Sequence, residues 1–232
     1  MPGILSFIND KFDGMMIKYL FVTICLVSLA ACKTVSVTRQ GKPWRDTLQS
    51  IPGRIECELY DQGGEGTAYH DTDNINNGSG KLNPANGSFL NEFRMQEGVD
   101  ISYTKPGNID NNPFNKTMPE LNQLYLGWTA PGEWVNYTVM VNQTAMYRVD
   151  IMYTANADAA ISLDIDGRQA AGELKISSTY DARDTVAWRQ WHHWNKTGPL
   201  TVINMKKGIH LLTLHITVRG NMNFDYLEFK KA

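Results

Sequence analysis

The sequence is short of cysteine, of net charge and of helical pattern, and each shortage excludes a class of protein. Three cysteines occur in 232 residues. Cys25 and Cys32 lie in an N-terminal apolar segment, so Cys57 has no partner for an internal disulfide and is interpreted as a packing residue. The 22 Lys+Arg against 24 Asp+Glu give a net charge of −2, which excludes the basic surface of a nucleic-acid-binding protein. After the N-terminal segment, no stretch has a convincing helical period.

Motifs for catalysis are missing as well. The chain has no Ser-His-Asp order, no metal-hydrolase motif and no Gly-rich phosphate loop. His192 and His193 are adjacent without a third ligand at metal-binding spacing, and we predict solvated loop histidines. Asp150, Asp164 and Asp166 occupy outward positions of alternating strands, where we expect solvent rather than a catalytic partner. The sequence therefore predicts a protein that is not an enzyme.

The N-terminal segment resembles an export signal. Residues 16–32 read MIKYLFVTICLVSLAAC, with one lysine followed by an apolar run that is too short for a comfortable membrane span. The end of this run resembles a bacterial lipobox, in which Cys32 becomes the lipidated first residue of the mature protein. We predict an exported protein with a lipid anchor in the bacterial membrane, and an uncleaved signal anchor is the alternative. Whether the chain starts at Met1, Met15 or Met16 stays open.

Three segments follow from this reading. Residues 1–31 form an N-terminal extension and signal peptide, and residues 32–53 form the lipidated cysteine and a polar tether. Residues 54–232 form one globular domain, which is long enough to bury a full core.

The globular part has the pattern of a β-protein. Residues 125–141 read YLGWTAPGEWVNYTVMV, in which the turn Pro131-Gly132 precedes a stretch that alternates with a period of two. Similar alternation recurs at residues 147–153, 161–166, 200–205, 209–218 and 223–229. Short strands separated by turn signals predict an antiparallel β-sandwich of the jelly-roll type.

Two acids near the start of the domain need an explanation. Glu56 and Glu58 lie in the alternating segment IECELY, so we predict that both carboxylates share one face of a strand. Like charges at this spacing are unfavourable without a cation or a basic neighbour. A solvated edge strand is the alternative. The next segment, residues 61–98, is rich in Gly, Asn and Asp, and a loop of this length is typical of a functional or inserted element.

Taken in order, these motifs resemble the family 6 carbohydrate-binding modules. The segments that carry the resemblance span about residues 54–230 and are IECELYD, GGEGTAYHDTD, EGVDI, LGWTAPGEWVNYTV, a Trp-rich segment, KKGIHLLTLHI and NMNFDYLEF. The resemblance implies a β-sandwich that binds sugar in a cleft formed by loops at one end. By motif position, Trp128 and Trp188 match the two aromatic rings that grip a sugar, and Asn223 matches their polar partner. Trp191 and Trp194 are assigned mainly to packing.

The resemblance also implies a structural Ca²⁺ ion far from the cleft, with Glu56, Glu58 and Asp225 as its ligands. The expected function is non-catalytic binding of polysaccharide or oligosaccharide ends, of the β-glucan, xylan or agar type. Expected partners are the glycan, the membrane and glycan-degrading enzymes of the same system. A small glycan-active enzyme on the same sandwich and a structural or adhesion subunit are the alternatives.

Overall fold

The structure is a computed structural model that describes residues 41–232. The predicted signal peptide, the lipidation site Cys32 and the first part of the predicted tether lie outside these residues. Within residues 41–232, no helix is long and apolar enough to cross a membrane.

Strands dominate the described residues. The helical content there is the short α-helix α1 (Phe89–Glu92) and three 3-10 turns (Trp44–Asp46, Cys57–Leu59 and Ala187–Arg189). The strands are β1 (Gln49–Ile51), β2 (Gly53–Glu56), β3 (Tyr69–His70), β4 (Ser79–Gly80), β5 (Asn83–Pro84), β6 (Ile101–Tyr103), β7 (Leu124–Leu126), β8 (Trp134–Val141), β9 (Ala145–Ala155), β10 (Ala159–Ile165), β11 (Arg168–Ile176), β12 (Asn195–Lys196), β13 (Thr201–Met205), β14 (Gly208–Val218) and β15 (Met222–Lys231).

Thirteen of these strands form two sheets that pack face to face, which confirms the predicted antiparallel β-sandwich, and β4 and β5 form a separate small pair. The first sheet has the order β1-β8-β14-β10-β11, and β3 also pairs with β8. The second has the order β12-β9-β15-β7-β6, with β13 on β9 and β2 on β15. All long strand pairs are antiparallel, and β1 runs parallel to β8. The turn at residues 206–208 leads from one sheet to the other, because β13 pairs with β9 and β14 pairs with β8.

The core lies between the two sheets and follows the alternation in the sequence. In β8, the predicted period of two is present: the side chains of Val135, Tyr137, Val139 and Val141 are buried, whereas Trp134 and Thr138 on the opposite face are partly exposed. Equivalent inward rows from β9, β14 and β15 complete one contiguous cluster. Burial of apolar side chains from both sheets stabilises the sandwich and holds the loops at its ends in place.

The start of the domain differs from the prediction in two ways. Strand β1 pairs with β8 and Trp44 packs on Phe93, so the folded region begins before residue 54 and includes part of the predicted tether. Strand β2 ends at Glu56, and Cys57 and Glu58 lie in a 3-10 turn in which both are buried. The two glutamates therefore do not share one face of a strand, because the turn breaks the two-residue period. Cys57 is fully buried, as its packing role requires.

The long segment between β3 and β6 is an ordered insertion. It contains the small parallel pair β4 and β5 and the helix α1. The side chain of Asn83 donates to Ser102 Oγ at 3.1 Å, and Ser79 Oγ donates to the carbonyl of Ile101 at 3.2 Å. These hydrogen bonds to β6 attach the insertion to the edge of the second sheet.

Candidate functional site

The structure brings the three predicted sugar-binding residues to one end of the sandwich. Trp128 follows β7, Asn223 lies at the start of β15, and Trp188 belongs to the 3-10 turn between β11 and β12. A chain of aromatic contacts joins the two tryptophans. The centroid distances are 6.5 Å from Trp128 to Tyr125, 5.8 Å from Tyr125 to His192, and 6.3 Å from His192 to Trp188. Loops that are far apart in sequence thus meet around His192.

These residues differ in their access to solvent. The side chain of Trp188 is 56% exposed, and Trp128 is partly exposed. Asn223 is fully buried, and its amide makes three hydrogen bonds. Its Oδ1 accepts from the backbone N–H of Trp128 at 3.1 Å, and its Nδ2 donates to Thr154 Oγ1 at 2.8 Å and to His192 Nδ1 at 2.9 Å. In this conformation Asn223 therefore supports the site from below rather than facing a ligand.

His192 is the centre of the network beneath the tryptophans. Because Nδ1 accepts from Asn223, the proton of neutral His192 lies on Nε2, which is 2.5 Å from Asp110 Oδ1. The same oxygen accepts from Trp194 Nε1 at 2.8 Å. Burial raises the pKa of Asp110, but the hydrogen bonds from His192, Trp194 and the backbone of Lys105 outweigh burial and lower the pKa below its ordinary value. Asp110 is therefore the anion that orients the imidazole.

His193 has a separate anionic partner. Its Nε2 lies 3.0 Å from Asp184 Oδ2, and Arg189 donates to both oxygens of Asp184 at 2.6 and 2.8 Å. The hydrogen bonds from Arg189 hold the pKa of Asp184 well below its usual range, although burial opposes them. The prediction of solvated histidines is wrong, because both rings are buried against carboxylates. Asp110 lies on a distant loop, so local sequence contains no signal for its contact with His192.

Trp194 is fully buried, which confirms its packing role, and Trp191 is partly buried. The rings of Trp191 and Trp194 both lie 5.7 Å from the ring of His192. Together with Tyr125 they enclose the imidazole on several sides, and sequence reasoning assigned no role to Tyr125 or Asp110.

The backbone that carries Trp128 is constrained. Trp128 has a φ of 46°, in the left-handed region that non-glycine residues seldom adopt. A Cβ on Gly127 would lie 3.0 Å from Asn223 Oδ1, so only glycine lets the amide approach this closely. The following residue, Thr129, exchanges backbone hydrogen bonds with Asn221 and Met222 at 2.5 and 3.3 Å. These contacts fix the loop on the start of β15.

The predicted calcium ligands lie at a different place, around the end of β2, the turn that follows it and the first half of β15. Glu58 Oε2 is buried without a hydrogen-bond partner. Burial raises the pKa of Glu58 well above its usual value and, together with the charge of Glu56, raises the pKa of Asp225 to about 7. An oxygen-only donor set with an unpartnered carboxylate fits a hard divalent cation. Within residues 41–232, however, no three acidic, His or Cys side chains are already gathered at metal-binding distances.

A second group of acids lines a groove on the insertion. Asp71, Asp73 and Glu65 border this groove. Burial and the neighbouring acids Glu133 and Asp100 raise the pKa of Asp71 to about 7. Its carboxylate already accepts from the backbone N–H of Asp73 at 3.0 Å, and both Glu133 oxygens accept hydrogen bonds from neighbouring groups. These carboxylates therefore have structural partners within the loop.

No curated protein matches the chain. Among solved structures, a family 6 module from Clostridium stercorarium in complex with cellobiose is 13% identical, with a TM-score of 0.49 over 80% of this chain and 98% of that one. A β-1,3-glucan-binding family 6 module from Bacillus halodurans is 13% identical, with a TM-score of 0.46 over 79% of this chain and 99% of that one. Similarity this distant says nothing about the ligand.

A family model provides the stronger comparison. The model described as "Carbohydrate binding module (family 6)" matches residues 93–231, which is more than half of the chain and includes Trp128, Trp188 and Asn223. The chain belongs to the family 6 carbohydrate-binding modules.

Proposed function

We propose that this protein is a non-catalytic lipoprotein that binds polysaccharide or oligosaccharide ends between Trp128 and Trp188. The observation that carries the proposal is one exposed and one partly exposed indole ring, Trp188 and Trp128, beside a buried polar network. A pyranose ring presents C–H groups that pack on an aromatic plane, while its hydroxyls need directional hydrogen-bond partners at the rim. For a site built from two rings we expect affinities in the micromolar to millimolar range, about −4 to −8 kcal/mol.

His192 and Asn223 support this site by fixing its walls. Asn223 holds the backbone of Trp128, and His192 lies between Asn223 and the ring of Trp188. A ligand that packs on both tryptophans would therefore meet rings whose positions are set before binding. Such preorganisation reduces the entropic cost of association.

The test is binding of a glycan panel, including β-glucans, xylans and agar-type galactans, to the protein from residue 33 onward. Trp188→Ala removes an exposed ring, so we expect unchanged stability and at least tenfold weaker binding, which is about 1.4 kcal/mol. Trp134→Ala is the matched control, because Trp134 lies on the outer face of β8, with its ring 6.5 Å from that of His70. Equal loss in both variants, or a loss in Trp134→Ala alone, would place the site on the sandwich face.

The same panel separates the alternative functions. A small enzyme on this sandwich would release shorter sugars from the glycan that it binds. A structural or adhesion subunit would bind no glycan, and its partner binding would be insensitive to Trp128→Ala. Absence of both turnover and glycan binding would favour this scaffold role.

We further propose a structural Ca²⁺ ion at Glu56, Glu58 and Asp225. The unpartnered Glu58 Oε2 supports it, because a buried carboxylate oxygen without a donor is costly unless a cation neutralises it. The bound ion would cancel the repulsion between these acids and join β15 to the turn that follows β2. Thermal unfolding with and without Ca²⁺ tests this, and no change in Tm would count against the ion.

Export and lipid attachment at Cys32 complete the proposal. An anchored module of this kind would capture glycan at the membrane for degrading enzymes of the same system. Mass spectrometry of the mature protein from bacterial membranes tests the attachment, since a lipidated N-terminal Cys32 adds the mass of its acyl chains. An unmodified mature N-terminus would contradict it.

A further inference from the structure

Two exposed apolar side chains stand out on the insertion between β3 and β6. Leu82 is 59% exposed and Phe89 is 55% exposed. Leu82 lies between β4 and β5, and Phe89 is the first residue of α1, which contacts both strands. We call this pair the Leu82–Phe89 surface. Large apolar groups held in water are unfavourable, and a group of them marks an interaction site more often than isolated residues do.

Hydrogen bonds and aromatic packing hold the residues that carry this surface in place. Asn91 Nδ2 donates to the carbonyl of Pro84 at 2.9 Å, and the insertion is hydrogen-bonded to β6 through Asn83 and Ser79. The ring of Phe89 packs edge-on against that of Phe93 at 5.1 Å. The apolar groups therefore have fixed positions.

The first described residues of the chain lie beside this surface. Trp44 packs on Phe93 with ring centroids 5.1 Å apart, and the guanidinium of Arg45 lies 5.9 Å from the ring of Phe89. Lys42 is exposed and forms a backbone pair with Gln62. The chain thus enters the domain next to Phe89, and the guanidinium of Arg45 lies beside this ring.

The short chain after Cys32 limits the distance between a lipid on that residue and the domain. Eight residues lie between Cys32 and Gly41, so the nine Cα–Cα steps span at most about 30 Å when fully extended and about 15–18 Å on average for a flexible chain. A lipid on Cys32 would keep the membrane within this reach of the entry point, at a high effective concentration. Exposed apolar side chains beside Arg45, with the exposed Lys42 three residues earlier in the chain, match the chemistry of a bilayer interface, where acyl chains meet headgroups.

We propose that the Leu82–Phe89 surface rests on the bilayer interface beside the lipid anchor. The inference relies on the lipid attachment proposed for Cys32. Leu82 and Phe89 enter the headgroup region, Arg45 and Lys42 contact lipid phosphates, and the domain adopts one orientation on the membrane.

The experiment replaces the natural anchor, so that it does not depend on lipidation. A histidine tag placed before Lys33 binds the protein to vesicles that contain a nickel-chelating lipid. The variant Leu82→Cys carries an environment-sensitive fluorophore, since Cys57 is buried and does not react. We expect a blue shift and a gain in emission on vesicles, with quenching by a nitroxide-labelled lipid. The matched control is Met146→Cys. Met146 is also exposed, but it lies on β9, which β15 and β7 separate from β6 in the sheet.

Two further variants sharpen the result. Adding Phe89→Ser to the labelled protein should abolish the quenching, whereas Val202→Ser, at an exposed position of β13 opposite Arg148, should leave it unchanged. Equal signals at positions 82 and 146 would indicate non-specific adsorption and overturn the proposal, as would no signal at position 82. A gain in emission with protein concentration, without vesicles, would indicate a second copy of the chain as the occupant and would also overturn it. The mass of the mature protein shows independently of this experiment whether Cys32 carries a lipid.

Discussion

Asn223 offers the sharpest test of how the candidate site is built. The substitution Asn223→Ala removes three hydrogen bonds and leaves the N–H of Trp128, the hydroxyl of Thr154 and Nδ1 of His192 without this partner. Each buried polar group left unpaired costs about 1–3 kcal/mol, and these costs are not additive. We therefore expect a loss of about 3 kcal/mol in the free energy of unfolding. For a domain of this size, such a loss corresponds to a decrease of roughly 6–12 °C in Tm.

The effect on binding follows from the bond to Trp128. With Asn223 gone, the loop is free to leave the left-handed conformation of Trp128, and we expect its ring to leave its place beside Tyr125. Glycan binding at a temperature at which the variant is fully folded should weaken by about tenfold, or 1.4 kcal/mol. Thr154→Val is the matched control. It removes only the hydrogen bond from Nδ2 at 2.8 Å, so we expect about 1 kcal/mol of lost stability and nearly unchanged binding.

The assay combines urea unfolding with isothermal titration of the glycan identified in the panel. If Asn223→Ala loses less than about 1 kcal/mol of stability, the hydrogen bonds of Asn223 do not hold the site in place. If binding disappears while stability is unchanged, Asn223 contacts the sugar directly and its buried conformation is not the bound one. Either result would refute the supporting role.

Three further predictions concern other parts of the molecule. Without divalent cations, Glu58→Gln should raise Tm, because it removes a buried carboxyl whose pKa burial raises; with Ca²⁺ the variant should lose the stabilisation that the wild type gains. The pKa of Asp71 is raised to about 7, so its folded form binds more protons than its unfolded form. Stability should therefore fall as pH rises from about 4 to about 7, and Asp71→Asn should flatten this profile in urea titrations. Gly220→Ala should destabilise the domain by about 3 kcal/mol, since the new Cβ would lie 2.0 Å from the carbonyl oxygen of Thr129; a melting curve like that of the wild type would contradict this.

Much of the sandwich was predictable because its long strands alternate. Strand β8 buries Val135, Tyr137, Val139 and Val141 in the core with the period of two that its sequence indicates, and β13 and β14 lie within a residue of their predicted bounds. The turn Asp166-Gly167 joins β10 and β11 with both residues at positive φ, as a tight hairpin requires. In these segments the local pattern and the tertiary environment agree.

The errors occur where distant contacts decide the local structure. Residues 57–59 form a 3-10 turn although IECELY alternates. Cys57 and Glu58, which are neighbours in sequence, are both buried in this turn, so the two-residue period of a strand is lost. Burial of His192 depends on Asp110, which is 82 residues away. The packing of Trp44 on Phe93 brings part of the predicted tether into the fold. None of these contacts has a periodic or local signature.

The network beneath the tryptophans explains why a binding surface here needs residues that do not face the ligand. The left-handed backbone at Trp128 costs about 1–3 kcal/mol for a non-glycine residue and persists only when its surroundings hold it. Asn223 supplies that hold through the N–H of Trp128, and the absence of a side chain at Gly127 gives the amide the space to do so. Asn223 in turn donates to His192, whose opposite nitrogen is fixed by Asp110. An exposed ring above a flexible loop would lose conformational entropy when it binds, whereas a ring fixed by this chain of hydrogen bonds has lost that entropy during folding.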